Sequence, residues 1–347
     1  MSERGTTPGT SSIVGLKVLV LAGGRSAERD VSLSSGAAVA TALSERGAEV
    51  FALDPGMSPR VLTWSPQLAK DQIGTTPPEG LTGSNPTIAP SDIAISELKN
   101  VDVVFIALHG GDGENGRLQA LLDMAGIKYT GSGMLASALA MDKHASKRIF
   151  LAEGIPTPDW RVLEDADELD YEEAVEALGS PLIVKPNAQG STVGLTLVEK
   201  KSQWGDALAE AFRWDSRVLV EQFIDGRELT VGIIGDQVTP VVEIKPKHKL
   251  YDYECKYTDG MCEYLCPASI TPAQTRACQE QGIEAFRALG CRGYARADFR
   301  MDKEGRMFCL EVNTLPGMTS HSLVPKAAKA AGIDFPELVA RICRLAI

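Results

Sequence analysis

The chain is predicted to fold as an α/β domain followed by an α+β pair, and three observations predict it. Short apolar runs such as Lys17 to Leu21 (KVLVL) and Val101 to Leu108 (VDVVFIAL) lead into glycine-rich turns and then helical patterns. That alternation belongs to a parallel sheet with helices on both faces. In Tyr294 to Asn313, two runs with the period of two that a strand requires flank a turn. A length of 347 residues accommodates two or three such units.

Taken in order, residues 1-15 are a Gly/Ser/Thr-rich tail without the apolar segment of a signal peptide. The first domain, 16-132, begins with the strand Lys17 to Leu21, which ends at Ala22-Gly23-Gly24, and a helix from Ser32 to about Arg46. Asp54 to Leu98 is rich in Pro, Gly and Ser and reads as loop. The strand Val101 to Leu108 and a helix from Gly116 to Ala125 complete that domain. The second, 133-224, opens with one helix over Leu135 to Ala152, stopped by Gly154 and Pro156. Strands follow at Leu182 to Lys185, Gly194 to Val198 and Arg217 to Phe223. The third, 225-347, has strands at Glu228 to Ile234 and Val238 to Ile244, an irregular stretch over 245-267, and a helix over Pro272 to Leu289. Two more strands flank Asp302-Lys303-Glu304-Gly305.

A net charge of -11 argues against nucleic acid or an anionic membrane surface as partner, because both attract basic surfaces. No run of about 18 apolar residues offers a membrane span. Seven cysteines, an odd number in so long a chain, point to a reducing cytosol rather than a disulfide framework. Cys255, Cys262 and Cys266 cluster, but without the paired spacing and fourth ligand of a zinc site.

The most informative segment is Tyr294 to Asn313. Arg296, Asp298 and Arg300 alternate with apolar residues, and so do Glu311 and Asn313. A hairpin turning on Glu304 and Gly305 would set Asp298 opposite Glu311 and Arg296 opposite Asn313, all on one face. Opposed carboxylates repel unless a cation lies between them. Two acids, an amide oxygen and phosphate oxygens form a hard site suited to magnesium. A solvated polar face with ordinary ion pairs accounts for the same alternation.

Lys185 closes the apolar strand PLIVK and precedes Asn187-Ala188-Gln189-Gly190-Ser191-Thr192-Val193-Gly194. Small residues there let backbone N–H groups approach phosphate oxygens. The segment is no Walker A loop, since the lysine comes before the glycines. Lys143 is a second candidate phosphate lysine. The strand Val218 to Ile224 suits a purine, with Phe223 and Ile224 beside it, Glu221 accepting from its amino group and Glu228 reaching ribose hydroxyls. Strand-edge acids in solvent are the plainer reading of both.

The order Lys143, Lys185 with Gly190-Ser191, Glu221-Gln222-Phe223-Ile224, Asp298 and Glu311-Val312-Asn313 resembles the ATP-grasp superfamily. Further stretches resemble the D-alanine–D-alanine ligases within it. They are Gly23 to Ser32 (GGRSAERDVS), His109 to Gly116 (HGGDGENG), Tyr129 to Gly133 (YTGSG), Tyr251 to Tyr257 (YDYECKY) and Asn313 to Ser322 (NTLPGMTSHS). The likeness covers about residues 15 to 347.

That resemblance implies a three-domain ATP-grasp architecture, with ATP clamped between two α+β domains. It implies ligation of two D-alanine molecules through a D-alanyl phosphate, in the cytoplasm, by a homodimer. Glu28 would meet the ammonium of the first D-alanine, networked with Ser191 and Tyr257. Lys143, Lys185 and Lys256 would hold phosphates. Asp298, Glu311 and Asn313 would hold two magnesium ions, with manganese a possible substitute. Arg296 and the N–H of Gly317 would stabilise the oxyanion, and Ser322 would anchor the second carboxylate. Residues 245-267 would be a lid that excludes water. Gln222 and the order of residues in Gly110 to Gly116 depart from the pattern, and Tyr257 favours an amine over a hydroxyl acceptor. A D-alanine–D-lactate ligase or another ATP-grasp carboxylate ligase, and a non-catalytic nucleotide binder, are the alternatives.

Overall fold

The structure is a computed structural model that describes residues 12–57, 61–63, 65, 93, 95–251, 255–256, 258, 260–319 and 322–347. Most of the loop expected over Asp54 to Leu98, part of the expected lid, and Tyr257 lie outside the described residues.

The N-terminal sheet contains β1 (Lys17–Leu21), β2 (Glu49–Leu53), β3 (Leu62–Thr63) and β4 (Val103–Ile106) in the order β3-β2-β1-β4. β1 is parallel to both β2 and β4, with β3 an antiparallel edge. The run KVLVL lacks polar alternation because both faces are covered. Val18 and Val20 pack toward α1 (Arg29–Glu45), while Leu19 and Leu21 pack toward α2 (Arg117–Ala125).

The single helix expected over Leu135 to Ala152 is two, α3 (Met134–Met141) and α4 (Lys143–Ala152). Asp142 breaks it by taking an extended conformation, and its side chain caps α4 by accepting from the Ala145 N–H at 2.9 Å. The apolar period runs across the break, which is why it reads as continuous. Ala140 and Phe150 pack into the core of the largest sheet.

A four-stranded antiparallel sheet, ordered β5-β8-β6-β7, contains β5 (Trp160–Leu163), β6 (Leu182–Pro186), β7 (Thr196–Val198) and β8 (Val218–Gln222). Two helices not anticipated from sequence, α5 (Tyr171–Leu178) and α6 (Trp204–Phe212), cover it.

The largest sheet runs β12-β11-β9-β13-β14, with β10 paired to β9. Its strands are β9 (Gly226–Ile234), β10 (Gln237–Val238), β11 (Val242–Pro246), β12 (Cys262–Leu265), β13 (Tyr294–Asp302) and β14 (Met307–Asn313). Two expectations change here. Val238 to Ile244 is two strands, and the supposedly irregular 245-267 contains β12, paired with β11. α7 (Pro272–Ala288) packs on this sheet, starting at a Thr271 capping box. α8 (Leu323–Ala330) and α9 (Phe335–Arg344) close the chain. Leu338 and Ile342 join the core beneath α1, which ties the C-terminus to the N-terminal sheet.

Candidate active site

The β13–β14 hairpin sets the centre of the site. Its turn is Lys303-Glu304-Gly305 rather than the expected two residues. Asp302 N–H donates to Arg306 O at 3.0 Å, and Gly305 takes a φ of 85°. Left-handed backbone at that position is what such a three-residue turn needs. The extra turn residue offsets the pairing by one, and a bulge cancels the offset. Phe299 pairs with Cys309 while Asp298 pairs with Glu311, so Leu310 is unmatched. Asp298 therefore does face Glu311, and Arg296 faces Asn313. The bulge also turns Leu310 toward the same cleft as Glu311, while Cys309 and Val312 both enter the core.

Arg296 clasps Asp298 in a two-pronged pair, Nη2 to Oδ2 at 2.7 Å and Nε to Oδ1 at 2.8 Å. Thr230 Oγ1 donates to Asp298 Oδ1 at 2.6 Å. Asp298 holds the Arg296 guanidinium well above its ordinary pKa, against the burial that opposes it. Glu311 lies 3.3 Å from Lys143 Nζ. Burial works to raise Glu311, yet the charges of Lys143, Lys256, Lys185 and Arg296 hold it down to about 2. Burial in turn pushes Lys256 below the usual lysine range.

Lys143, at the start of α4, also donates to Gln189 O at 2.7 Å, which docks the helix on the glycine-rich loop. In that loop Ser191 and Thr192 have φ values of 50° and 62°, a left-handed conformation uncommon outside glycine. The twist aims the Ser191 hydroxyl at Glu28 Oε1, to which it donates. A Cβ on Gly190 would stand 2.9 Å from Glu28 Oε2, so only glycine lets the loop close on the acid.

Glu28 stands at the N-terminus of α1, 8 % exposed. Burial and then the charge of Glu114 raise its pKa, and Ser191 works to lower it. A brace behind fixes its loop. Arg29 Nη2 meets Asp54 Oδ2 at 2.6 Å, and Asp54 Oδ1 accepts from the N–H groups of Gly24 at 2.9 Å and Gly56 at 2.8 Å. His109 lies nearby, with Nε2 2.9 Å from Ser35 Oγ and Nδ1 3.1 Å from Leu315 O.

These groups line one continuous cleft. Its first compartment is lined by Glu28, Lys143, Ser191, Lys256, Arg296, Glu311, Asn313, Gly317 and Ser322. The adjoining compartment adds Lys185, Glu228, Asp298 and Leu310. A third lies between the two antiparallel sheets and is walled by Pro158, Ile183, Phe223, Ile224, Leu310 and Glu221. A slot between apolar walls with polar groups at one end suits a flat aromatic base.

Every expected site residue except Tyr257, which is outside the described residues, borders this cleft. Two of them also have protein partners of their own. Glu221 meets lysines: its oxygens are 2.8 Å from Lys185 Nζ and 2.7 Å from Lys147 Nζ. Ser322 sits at the N-cap of α8 without capping it, and its hydroxyl instead accepts from Thr319 N–H at 3.0 Å. Lys147 and Leu310 were missed. Lys147 had a signal in its spacing of four from Lys143, whereas Leu310 had none, because alternation does not reveal a bulge.

Among the described residues, no three or more His, Cys, Asp and Glu side chains form a metal cluster. Among the described residues no two cysteines form a disulfide. A divalent cation here would rest on Asp298 and Glu311 with the Asn313 amide and ligand oxygens, an all-oxygen set that fits magnesium. No helix among the described residues is long and apolar enough to cross a membrane.

Comparison with known proteins gives a consistent result. Residues 17–132 match the model described as D-ala D-ala ligase N-terminus, and residues 149–344 match D-ala D-ala ligase C-terminus. A D-alanine--D-alanine ligase of Synechococcus sp. (strain JA-2-3B'a(2-13)) is 42% identical over 333 residues, covering 96% of this chain and 93% of the relative. Its counterpart from Gloeobacter violaceus is 44% identical over 330 residues, covering 94% and 98%. The crystal structure of a D-alanine--D-alanine ligase from Bacillus anthracis superposes with a TM-score of 0.76 at 33% identity, covering 96% of this chain and 97% of that one. That of the VanG D-Ala:D-Ser ligase from Enterococcus faecalis gives 0.78 at 29% identity, covering 96% and 100%.

Proposed function

The chain belongs to the D-alanine–D-alanine ligase family, and on that premise we propose how its ATP-grasp cleft joins two D-alanines. The enzyme is an ADP-forming ligase whose product, D-alanyl-D-alanine, serves cell-wall synthesis.

The adenine of ATP occupies the apolar slot between Phe223, Ile224 and Leu310, with Glu221 at its inner end and Glu228 toward the ribose. Lys143, Lys185 and Lys256 hold the phosphates. Asp298, Glu311 and Asn313 hold two magnesium ions, or manganese in their place. Bound there, the cations supply positive charge that neutralises the transferring phosphoryl group. Glu28, oriented by Ser191, grips the ammonium of the first D-alanine. The carboxylate of that substrate takes the γ-phosphoryl group, giving D-alanyl phosphate and ADP. The second D-alanine, anchored by Ser322, attacks with its amine. Arg296 and the Gly317 N–H receive the oxyanion, and phosphate leaves with the proton that the amine gives up. Tyr257 joins the Glu28–Ser191 network, and 245-267 acts as the lid. The enzyme works as a cytoplasmic homodimer.

One observation carries the site assignment: Asp298, Glu311 and Asn313 share a cleft face with Lys143 and Lys256, beside an apolar slot. Likeness to a D-Ala:D-Ser ligase leaves the acceptor as the point to test. Phosphate release from ATP should require D-alanine and fail with L-alanine. Mass analysis of the product with D-alanine, D-serine and D-lactate in competition should find mainly D-alanyl-D-alanine. A dominant serine or lactate product would reassign the acceptor, and no D-alanine-dependent phosphate release would refute the reading.

A further inference from the structure

We propose that Lys147 is a positioning residue which, through Glu221, sets where Lys185 meets the phosphates of the nucleotide. Lys147 touches none of the phosphate-facing compartments, and its side chain is 0% exposed. Four residues after Lys143, it lies on the same face of α4, one turn deeper. Its ammonium has three donors, and three acceptors surround it. They are Thr157 Oγ1 at 2.7 Å, Pro158 O at 2.8 Å and Glu221 Oε2 at 2.7 Å. The other oxygen of Glu221 is 2.8 Å from Lys185 Nζ. Pro158 and Glu221 both line the apolar slot.

Glu221 is thus shared between two ammonium groups. While Lys147 carries a charge, only part of the Glu221 charge falls on Lys185, which stays available to a triphosphate. With Lys147 neutral, a buried carboxylate has Lys185 as its single cation and draws it back from the phosphates. Replacing Lys147 by methionine also removes the donor that ties the Pro158 carbonyl at the floor of the slot.

Burial pulls Lys147 down to about 8, and Lys185 adds to the depression while Glu221 and Cys309 oppose it. Nζ also lies 5.1 Å from the centre of the Trp160 ring, whose Nε1 donates to His144 Nδ1 at 2.9 Å. Depression toward 8 makes the charge on Lys147 responsive to mildly alkaline pH.

The proposal rests on the cleft being the ATP site, so its test reads nucleotide binding separately from ligation. ADP affinity, ATP KM, D-alanine KM and kcat would be measured for the wild type, Lys147→Met and Lys147→Met/Glu221→Gln, between about pH 7 and about pH 9. Lys147→Met should raise ATP KM and weaken ADP binding about tenfold, with D-alanine KM and kcat at saturating ATP within about twofold. Wild-type ADP affinity should fall as pH passes about 8, and Lys147→Met should lack that step. Adding Glu221→Gln should recover part of the loss by releasing Lys185. Unchanged nucleotide affinity in folded Lys147→Met, or equal losses in kcat and both KM values, would overturn the proposal. Should the single variant not fold, a flat wild-type ADP profile across that range would overturn it too. A wild type that binds ADP but releases no phosphate with D-alanine would instead refute the functional reading.

Discussion

Asp298 and Glu311 face each other across β13 and β14 because a bulge at Leu310 cancels the extra residue of a three-residue turn. Without the bulge, a turn of that length would place Asp298 opposite residue 310. The bulge also gives Leu310 a place on the cleft face, where it walls the apolar slot.

Leu310→Ala should therefore weaken nucleotide binding and spare the acids. Truncating a buried leucine costs about 2 kcal/mol or more when full contact is lost. A slot wall contacted on one side should cost about 1–2 kcal/mol, or a 5- to 30-fold rise in ATP KM. Steady-state kinetics at saturating D-alanine checks it, and kcat should change less than about threefold.

Ser191→Ala removes the hydroxyl that donates to Glu28. A hydrogen bond to a charged group is worth about 1.5–3 kcal/mol. D-alanine KM at the first site should rise by about tenfold or more, with ATP KM little changed.

Glu28 should also govern the acid limb of D-alanine binding. Burial and Glu114 raise its pKa above the ordinary carboxyl value, so it accepts a proton before an exposed acid would. A protonated Glu28 loses its attraction for the ammonium. The apparent affinity for the first D-alanine should thus fall as pH drops toward the raised value. Glu28→Gln should bind weakly at every pH and lack that limb, as a pH series of D-alanine KM would reveal.

Stability should also fall in acid, through Glu311 and at lower pH. Its folded pKa is depressed from 4.5 to about 2, so its contribution is complete above about 4.5 and disappears as pH falls toward about 2. Thermal melting over that window should show wild type losing more stability than Glu311→Gln.

The residues that could be found in the sequence were those whose chemistry is local. Apolar runs ending in glycine marked β1 and β4, and strict alternation marked β13 and β14. What alternation could not show was irregularity that preserves apolar content. Asp142 interrupts a helix whose apolar period continues beyond it, and Leu310 adds a residue to a strand that still alternates on either side. Glu221 looked like a strand-edge acid because Lys147 and Lys185, which neutralise it, come from α4 and β6. Pairings between distant elements form only in the folded chain. The Arg29–Asp54 brace is another such case, joining residues on either side of β2.

The most direct test of the central claim is divalent-cation binding with a non-hydrolysable ATP analogue, followed by manganese resonance in wild type and Glu311→Gln alongside phosphate release. Two nucleotide-dependent manganese ions should bind the wild type. The variant should keep its melting temperature near neutral pH, lose tight binding of at least one ion and release phosphate at least about a thousandfold more slowly. Unchanged manganese binding and turnover in Glu311→Gln would contradict the assignment of Asp298, Glu311 and Asn313 as the cation site.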